Sequence, residues 1–380
     1  MYKKAKKSNN PSDFSKFKAH KRSVEKEVKN ARTSYINNQV LDGLDKGNTK
    51  PFYRYIKSLK TDSTGLVPLK SNATLVTDPH DKAEILLNEF SSVFTIEYVT
   101  SIPWLGPATN KIGDINVTEE GVSKLLANVK PHKASGPDRI ANRVLRELHA
   151  ELTPVMTALF NQSLSSGSIP KDWSNALVTP VYKKGNVHVA ANYRPVSLTC
   201  VACKLLEHIV CSHIMSFLEK HELLTPLQHG FRKAHSCETQ LLITVEDFFS
   251  AYDKNIQTDV GVLDFSRAFD TVPHERLIGK LAHYGVQGQV NDWIRAFLSN
   301  RSMQVVVDGE ISSSAPVVSG VPQGTVLGPL LFLIYINDMP QVVSEDTMIR
   351  LFADDCLAYR MIRTVQDQIA LQNDLENLQK

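Results

Sequence analysis

The chain has 380 residues, 42% of them apolar and 22% charged, the balance of an ordinary globular protein with room for more than one domain. No run approaches the ~20 uninterrupted apolar residues of a membrane span. MYKKAKKSNN lacks the apolar stretch of a secretory signal, so no membrane partner is expected and the expected residence is nucleus and cytoplasm. The net charge of +3 hides an asymmetry, because residues 1–60 hold 16 Lys/Arg against 5 Asp/Glu.

Within that basic segment, Lys3, Lys4, Lys6 and Lys7 cluster as in a nuclear address. PFYRYIKSLK interleaves Phe52, Tyr53 and Tyr55 with Arg54 and Lys57. Aromatics among cations can stack on bases, and cations on a polyanion release its counterions, so the segment suits a nucleic acid. A solvated amphipathic helix would carry the same residues. DKAEILLNEFSSVF (81–94) sets Ile85, Leu86, Phe90 and Phe94 near one helix face. Pro103, Gly106, Pro107 and Gly113 then break any period, which predicts a linker over 95–114. The domain boundary is placed there, with a basic, mostly helical extension over 1–114 and the main domain over 115–380.

From 115 onward helical and strand patterns mix. TEEGVSKLLANV and IANRVLRELHAELTPVMTALFNQSL read as helices, and ALVTPVYKKG as a strand running into a basic loop. CKLLEHIVCSHIMSFLEKH spaces Leu206, Ile209, Val210, Ile214, Phe217 and Leu218 as one helix face. TDVGVLDF is a strand in which Val260, Val262 and Asp264 share a face. MQVVVDGEISSSAPV is a hairpin on Asp308-Gly309. TVQDQIALQNDLENLQK closes the chain as an amphipathic helix whose apolar face is expected to lie open. The mixture predicts an α+β fold.

Two acidic sites stand out. Asp264 ends an apolar strand, and Asp354 and Asp355 sit at the tip of a probable hairpin in RLFADDCLAY. Two unit charges ~4 Å apart repel by roughly 4 kcal/mol at an effective dielectric of 20. A divalent ion removes that cost, and Mg²⁺ binds through one or two carboxylates plus phosphates. Asp-Asp at a turn is also ordinary turn chemistry, so neither site decides anything alone. Between them SGVPQGTVLGPLLF makes a glycine-rich turn ahead of an apolar helix starting near Val326, which lets a substrate approach the main chain. Cys200, Cys203, His208 and Cys211 approximate a zinc-knuckle spacing. A helix through them puts Cys200 and Cys211 ~16 Å apart along its axis, against Zn–S bonds of ~2.3 Å, so no zinc is expected.

In this order and spacing, LDFSRAFDTVPH, SGVPQGTVLGPLLFLIYINDMP and LFADD resemble the palm of retrotransposon reverse transcriptases. KASGPDRI, TPVYKKG, NYRPVSL and PLQHGFRKAHSCETQLL resemble the fingers of their non-LTR (LINE-type) branch. The resemblance implies a right-hand polymerase fold, with fingers and a ferredoxin-like antiparallel palm sheet carrying helices. It implies RNA-directed DNA synthesis, with an RNA template, a DNA primer and deoxynucleoside triphosphates as partners. Asp264, Asp354 and the carbonyl of Phe265 would hold two Mg²⁺ ions, with Mn²⁺ able to substitute, and Asp355 would be the supporting third carboxylate. Phe269 would be the steric gate against a ribose 2′-OH. Gln323 and Gly324 would contact nucleotide and template, and Arg194 with Lys183 or its neighbour Lys184 would grip the triphosphate.

The same resemblance implies a longer protein, because the family's last palm segment, its thumb and its upstream endonuclease have no counterpart in these 380 residues. An inactive nucleic-acid-binding fragment is therefore the alternative to an active polymerase.

Overall fold

The structure, a computed structural model, describes residues 11–59, 65–71, 74–97 and 105–379. Lys3, Lys4, Lys6, Lys7 and Pro103 lie outside the described residues, as do the side chains of Arg54 and Lys57. Two compact units divide at Gly65. Helices of nine or more residues are numbered below, with all strands.

The first unit contains α1 (Pro11–Tyr35), a π-helical turn (Ile36–Leu41) and α2 (Lys50–Leu59). Lysine, glutamate and alanine favour α1 by propensity, and pairs one turn apart such as Lys21–Glu25 (3.8 Å) add a little. Of the first unit's described side chains only Val40 is buried, and the Tyr35 and Tyr55 rings stand 6.4 Å apart.

The second unit begins with a short antiparallel pair, β1 (Leu69–Ser71) and β2 (Thr74–Val76), followed by α3 (Pro79–Ser91). Asp78 caps α3 by accepting from the Asp81 N–H (3.0 Å), with Pro79 at the first helical position. α4 (Glu119–Ala127) and α5 (His149–Ser166) lead to the hairpin of β3 (Asn175–Tyr182) and β4 (Tyr193–Leu198). Next come α6 (Val201–Lys220), α7 (Cys237–Asp253), β5 (Gln257–Asp264), α8 (His274–His283) and α9 (Gln289–Leu298). β6 (Arg301–Val307), β7 (Glu310–Ile311), β8 (Ala315–Val317) and α10 (Leu327–Ile336) follow. β9 (Thr347–Phe352), β10 (Asp355–Ile362) and α11 (Val365–Gln379) end the described chain.

Mixed helices and sheets make this an α+β fold. Besides the β1–β2 pair, one sheet among the described residues has the order β4-β3-β6-β7, with β8 also on β6, and another runs β5-β10-β9. All pairs are antiparallel except β3 with β6, which run parallel from Asn175 opposite Ser302. The turn joining β6 to β7 is Asp308-Gly309, both at positive φ (53° and 95°), as the twist of a two-residue hairpin requires.

Among the described residues, three apolar cores hold these layers. The largest joins α5, α6, α8, α9 and α10 around Phe160, Leu206, Leu281, Trp293 and Leu331. Trp293 also donates to Ser163 Oγ at 2.9 Å, so its one polar atom is satisfied. Although α6 is long and apolar enough to cross a membrane by length and composition, Leu206, Val210, Ile214 and Leu218 bury it in this core.

A second core sets Leu86 and Phe90 of α3 against Val178 of β3 and Met303, Val305 and Val307 of β6. Helix 79–91 thus belongs to the second compact unit, ahead of the boundary expected at 95–114. Its buried Lys82 reaches Asp308 in the hairpin turn (2.8 Å) and the Leu66 carbonyl (2.5 Å), pairing a charge that burial would otherwise penalise. In the third core Leu378 of α11 meets Ile349, Leu351, Cys356 and Ala358. The expectation of an open apolar face on this last helix is corrected. Leu371 and Leu378 are buried, and Asp374 accepts from Ser344 Oγ and Thr347 Oγ1 (both 2.6 Å).

Candidate active site

β5 and β10 pair so that Asp264 lies opposite Asp355, and β9 closes on β10 with Phe352 opposite Asp355. Ala353 and Asp354 are left as the two-residue turn. A pocket of about 490 Å³ opens where Asp354 meets the end of β5. Lys183, Lys184 and Arg194 line it from the β3–β4 hairpin, and Asp264, Phe265, Arg267, Phe269 and Asp270 line it from the segment after β5. Gln323 and Gly324 close it from the loop before α10. The pocket thus gathers every candidate from the sequence except Asp355, which stands beside it as the cross-strand partner of Asp264.

Like charges directly opposite on a sheet are destabilising. Among the described residues, the side chains of Asp264, Asp354 and Asp355 have no hydrogen-bond or ion-pair partner, and neither do those of Lys183, Lys184 and Arg194. Uncompensated carboxylates therefore face uncompensated cations across one cavity. Among the described residues no group of three or more His, Cys, Asp or Glu could hold an ion by itself. Two pocket carboxylates and a carbonyl, all oxygen, instead fit Mg²⁺, which completes its shell with water and phosphate.

The surrounding side chains are fixed by neighbours. Phe269 stacks on Phe332 (4.4 Å between centroids, 16°) and meets the edge of Phe231 at 6.1 Å. Gln323 donates through Nε2 to both carboxylate oxygens of Asp270 (3.1 and 3.3 Å), while its carbonyl accepts from Ser197 N–H (2.8 Å), tying the loop to β4. Gly324 sits at φ 96°, and a Cβ there would lie 2.8 Å from the Ser197 carbonyl, so a larger residue would push the loop off the strand.

Behind this loop the fully buried Glu207 accepts from the N–H groups of Val326 (2.6 Å) and Leu327 (3.2 Å), anchoring the start of α10. Burial pushes the Glu207 carboxyl up, against the pull of those N–H groups. Burial also pushes Asp270 up to about 6, against the pull of the Arg267 guanidinium and the Gln323 amide. Burial draws His274 down, and its ring Nε2 donates to the Gly320 carbonyl (2.8 Å) and steadies the same loop.

The family described as "Reverse transcriptase (RNA-dependent DNA polymerase)" matches residues 181–380, more than half of the chain. The chain belongs to the reverse transcriptase family. "RNA-directed DNA polymerase from mobile element jockey" of Drosophila melanogaster is 32% identical over 246 residues, 63% of this chain and 27% of that protein. The jockey protein of Drosophila funebris is 32% identical over 272 residues, covering 70% and 30%. "Probable RNA-directed DNA polymerase from transposon X-element" of Drosophila melanogaster is 28% identical over 332 residues, covering 84% and 36%. This reverse transcriptase falls in the non-LTR, LINE-type branch. It spans about a third of the length of these curated relatives.

Two charged pocket residues of the reverse transcriptase escaped the sequence reading. Asp270 follows Phe269 directly, yet nothing local says that it holds Gln323, 53 residues on. Arg267 adopts φ 54° and donates to Glu89 on α3 (2.6 Å) and to the Ala191 carbonyl (3.4 Å). Only a long-range fold brings those partners together.

Proposed function

We propose that this chain is the catalytic core of a non-LTR retrotransposon's RNA-directed DNA polymerase, joining deoxynucleotides to a primer 3′-OH on an RNA template. The three-stranded sheet would be the palm, of ferredoxin-like type, and the sheet built on the β3–β4 hairpin the fingers, with the basic helical segment ahead of them as a nucleic-acid-binding extension. Residence in nucleus and cytoplasm follows from this reading. The observation that carries it is the pocket in which unpaired Asp264 and Asp354 face unpaired Lys183, Lys184 and Arg194.

Each residue then has a task. Asp264, Asp354 and the Phe265 carbonyl would hold the divalent ions, two Mg²⁺ or Mn²⁺ in their place, with Asp355 in support. When bound, such ions supply activation of the attacking hydroxyl and neutralisation of the leaving pyrophosphate. Arg194 grips the triphosphate, because its planar fork matches two phosphate oxygens, and Lys183 or Lys184 adds a point charge. Phe269, held between Phe332 and Phe231, excludes a ribose 2′-OH. Gln323, with its amide N–H engaged by Asp270, turns its oxygen toward nucleotide and template, and Gly324 keeps the main chain bare there.

Primer extension on an RNA template tests the reading. Asp354→Asn is expected to lower extension by at least ~10²-fold, the scale of misplaced reacting groups, while RNA affinity stays within a few-fold. Substantial extension by the variant would reject Asp354 as a ligand. Binding without extension by the unsubstituted chain would leave a nucleic-acid-binding role alone.

A further inference from the structure

PLQHGFR, the segment between α6 and α7, contributes nothing to the pocket lining, yet it is built against the turn that carries Asp354. The main chain at 227–229 runs alongside β9. Leu351 N–H donates to the Leu227 carbonyl (3.0 Å) and His229 N–H to the Leu351 carbonyl (3.0 Å). Where β9 ends, the buried Gln228 side chain takes over. Its Oε1 accepts from the N–H groups of Ala353 (2.9 Å) and Gly230 (2.7 Å), and its Nε2 donates to the Ala353 carbonyl (3.2 Å). Both polar groups of the residue preceding Asp354 are thus bound by one amide.

That residue needs holding. Ala353 is at φ 54°, a region L side chains rarely adopt, at the first position of the two-residue turn. Gly230 presses on it so closely that a Cβ there would lie 2.2 Å from the Ala353 nitrogen. The clamp is itself anchored at both ends. Arg232 makes two bonds to Glu219 of α6 (3.1 and 3.2 Å) and one to the Thr225 carbonyl (2.8 Å). The His229 ring pairs with Thr239 Oγ1 (2.8 Å) in the capping box of α7.

We propose that Gln228 is a positioning residue that fixes the Ala353-Asp354 turn, and so sets the Asp354 carboxylate against Asp264 across the pocket. A backbone in an uncommon conformation, bound at both its N–H and its carbonyl, has one orientation to offer. Releasing it lets Asp354 swing while the strand pairs on either side persist. The inference rests on Asp354 being a metal ligand, as proposed above.

The test uses the full 380-residue chain and Mn²⁺ as the probe, titrated by electron paramagnetic resonance and paired with steady-state primer extension. Gln228→Met keeps the volume and removes all three bonds, and Gln228→Glu keeps the acceptor and removes the donor. Both variants are expected to weaken Mn²⁺ binding about tenfold or more and to lower kcat by up to ~10²-fold, the scale of a ~1 Å misplacement. The KM for deoxynucleotide and the RNA affinity should stay within a few-fold. Phe160→Leu, a core change in α5 away from the pocket, controls for stability and should leave kcat and Mn²⁺ binding unchanged. If Gln228→Met lowers only the melting temperature, with Mn²⁺ affinity and kcat like those of Phe160→Leu, the proposal falls. Should Gln228→Met not fold, the Gln228→Glu comparison decides in the same way. Asp354→Asn separates the two readings. Mn²⁺ binding lost in Asp354→Asn but retained in both Gln228 variants overturns the role of Gln228 alone. Mn²⁺ binding undiminished in Asp354→Asn overturns the ligand assignment and the positioning role with it.

Discussion

Replacing Asp270 with asparagine should stabilise the folded chain, and by more at pH 8 than at pH 5. Burial lifts the carboxyl from the ordinary 3.8 to about 6, and Arg267 and Gln323 offset only part of that push. The folded state therefore keeps its proton where the unfolded chain has lost it. The stabilising contribution is intact below the unfolded value and disappears as the pH rises through the folded one. A gap of about two pKa units corresponds to roughly 3 kcal/mol once both states are ionised, and about half of that accrues between pH 5 and pH 8. Asparagine does not titrate, yet its Oδ1 can still accept from Gln323. Urea unfolding at pH 5, 6.5 and 8, with EDTA to remove divalent ions, measures the effect. The stability difference between variant and parent should widen by roughly 1.5 kcal/mol across that range. A difference that does not change with pH would refute the assignment of the raised carboxyl to Asp270.

Two further substitutions probe the pocket walls. Phe269→Ala should raise ribonucleotide incorporation relative to deoxynucleotide by roughly ten- to a hundredfold in single-nucleotide extension, since the relieved clash with the 2′-OH is worth about 1–3 kcal/mol; unchanged discrimination would remove Phe269 from the gate. Arg194→Ala should raise the KM for deoxynucleotide about tenfold or more, because a bond to a charged group is worth roughly 1.5–3 kcal/mol. An effect on template affinity alone would move Arg194 from the triphosphate to the nucleic acid.

Much of the site was legible because its parts are local. Strand alternation put Asp264 at the end of β5, turn chemistry put Asp308-Gly309 at a hairpin tip, and the apolar run after SGVPQG announced α10. Convergence of Asp264, Asp354 and the loop before α10 on one pocket came from motif order, which carries long-range information that periodicity lacks. What stayed hidden depends on partners far along the chain. Lys82 reads as a solvated helix cation until Asp308 is folded against it, 226 residues later. Gln228 reads as a polar loop residue until Ala353, 125 residues on, supplies its bonds. The helix at 79–91 looked like part of the N-terminal extension because nothing within it names β6 as the surface that covers Leu86 and Phe90.

The parallel pairing of β3 with β6 has a consequence for synthesis. β3 begins at Asn175 and its partner residue is Ser302, so the hairpin leaves the ribosome long before the strand that completes its sheet. At ~5–20 residues per second the delay is roughly 6–25 s. During that time the open edge of β3 is a template for any other nascent strand. Its ladder to β6 covers only Asn175–Val178, and Pro180 follows where a further backbone N–H would otherwise be offered. A short edge ending in proline gives another chain little to zip onto. The exposure ends when β6 emerges and takes up Asn175–Val178 as its partners.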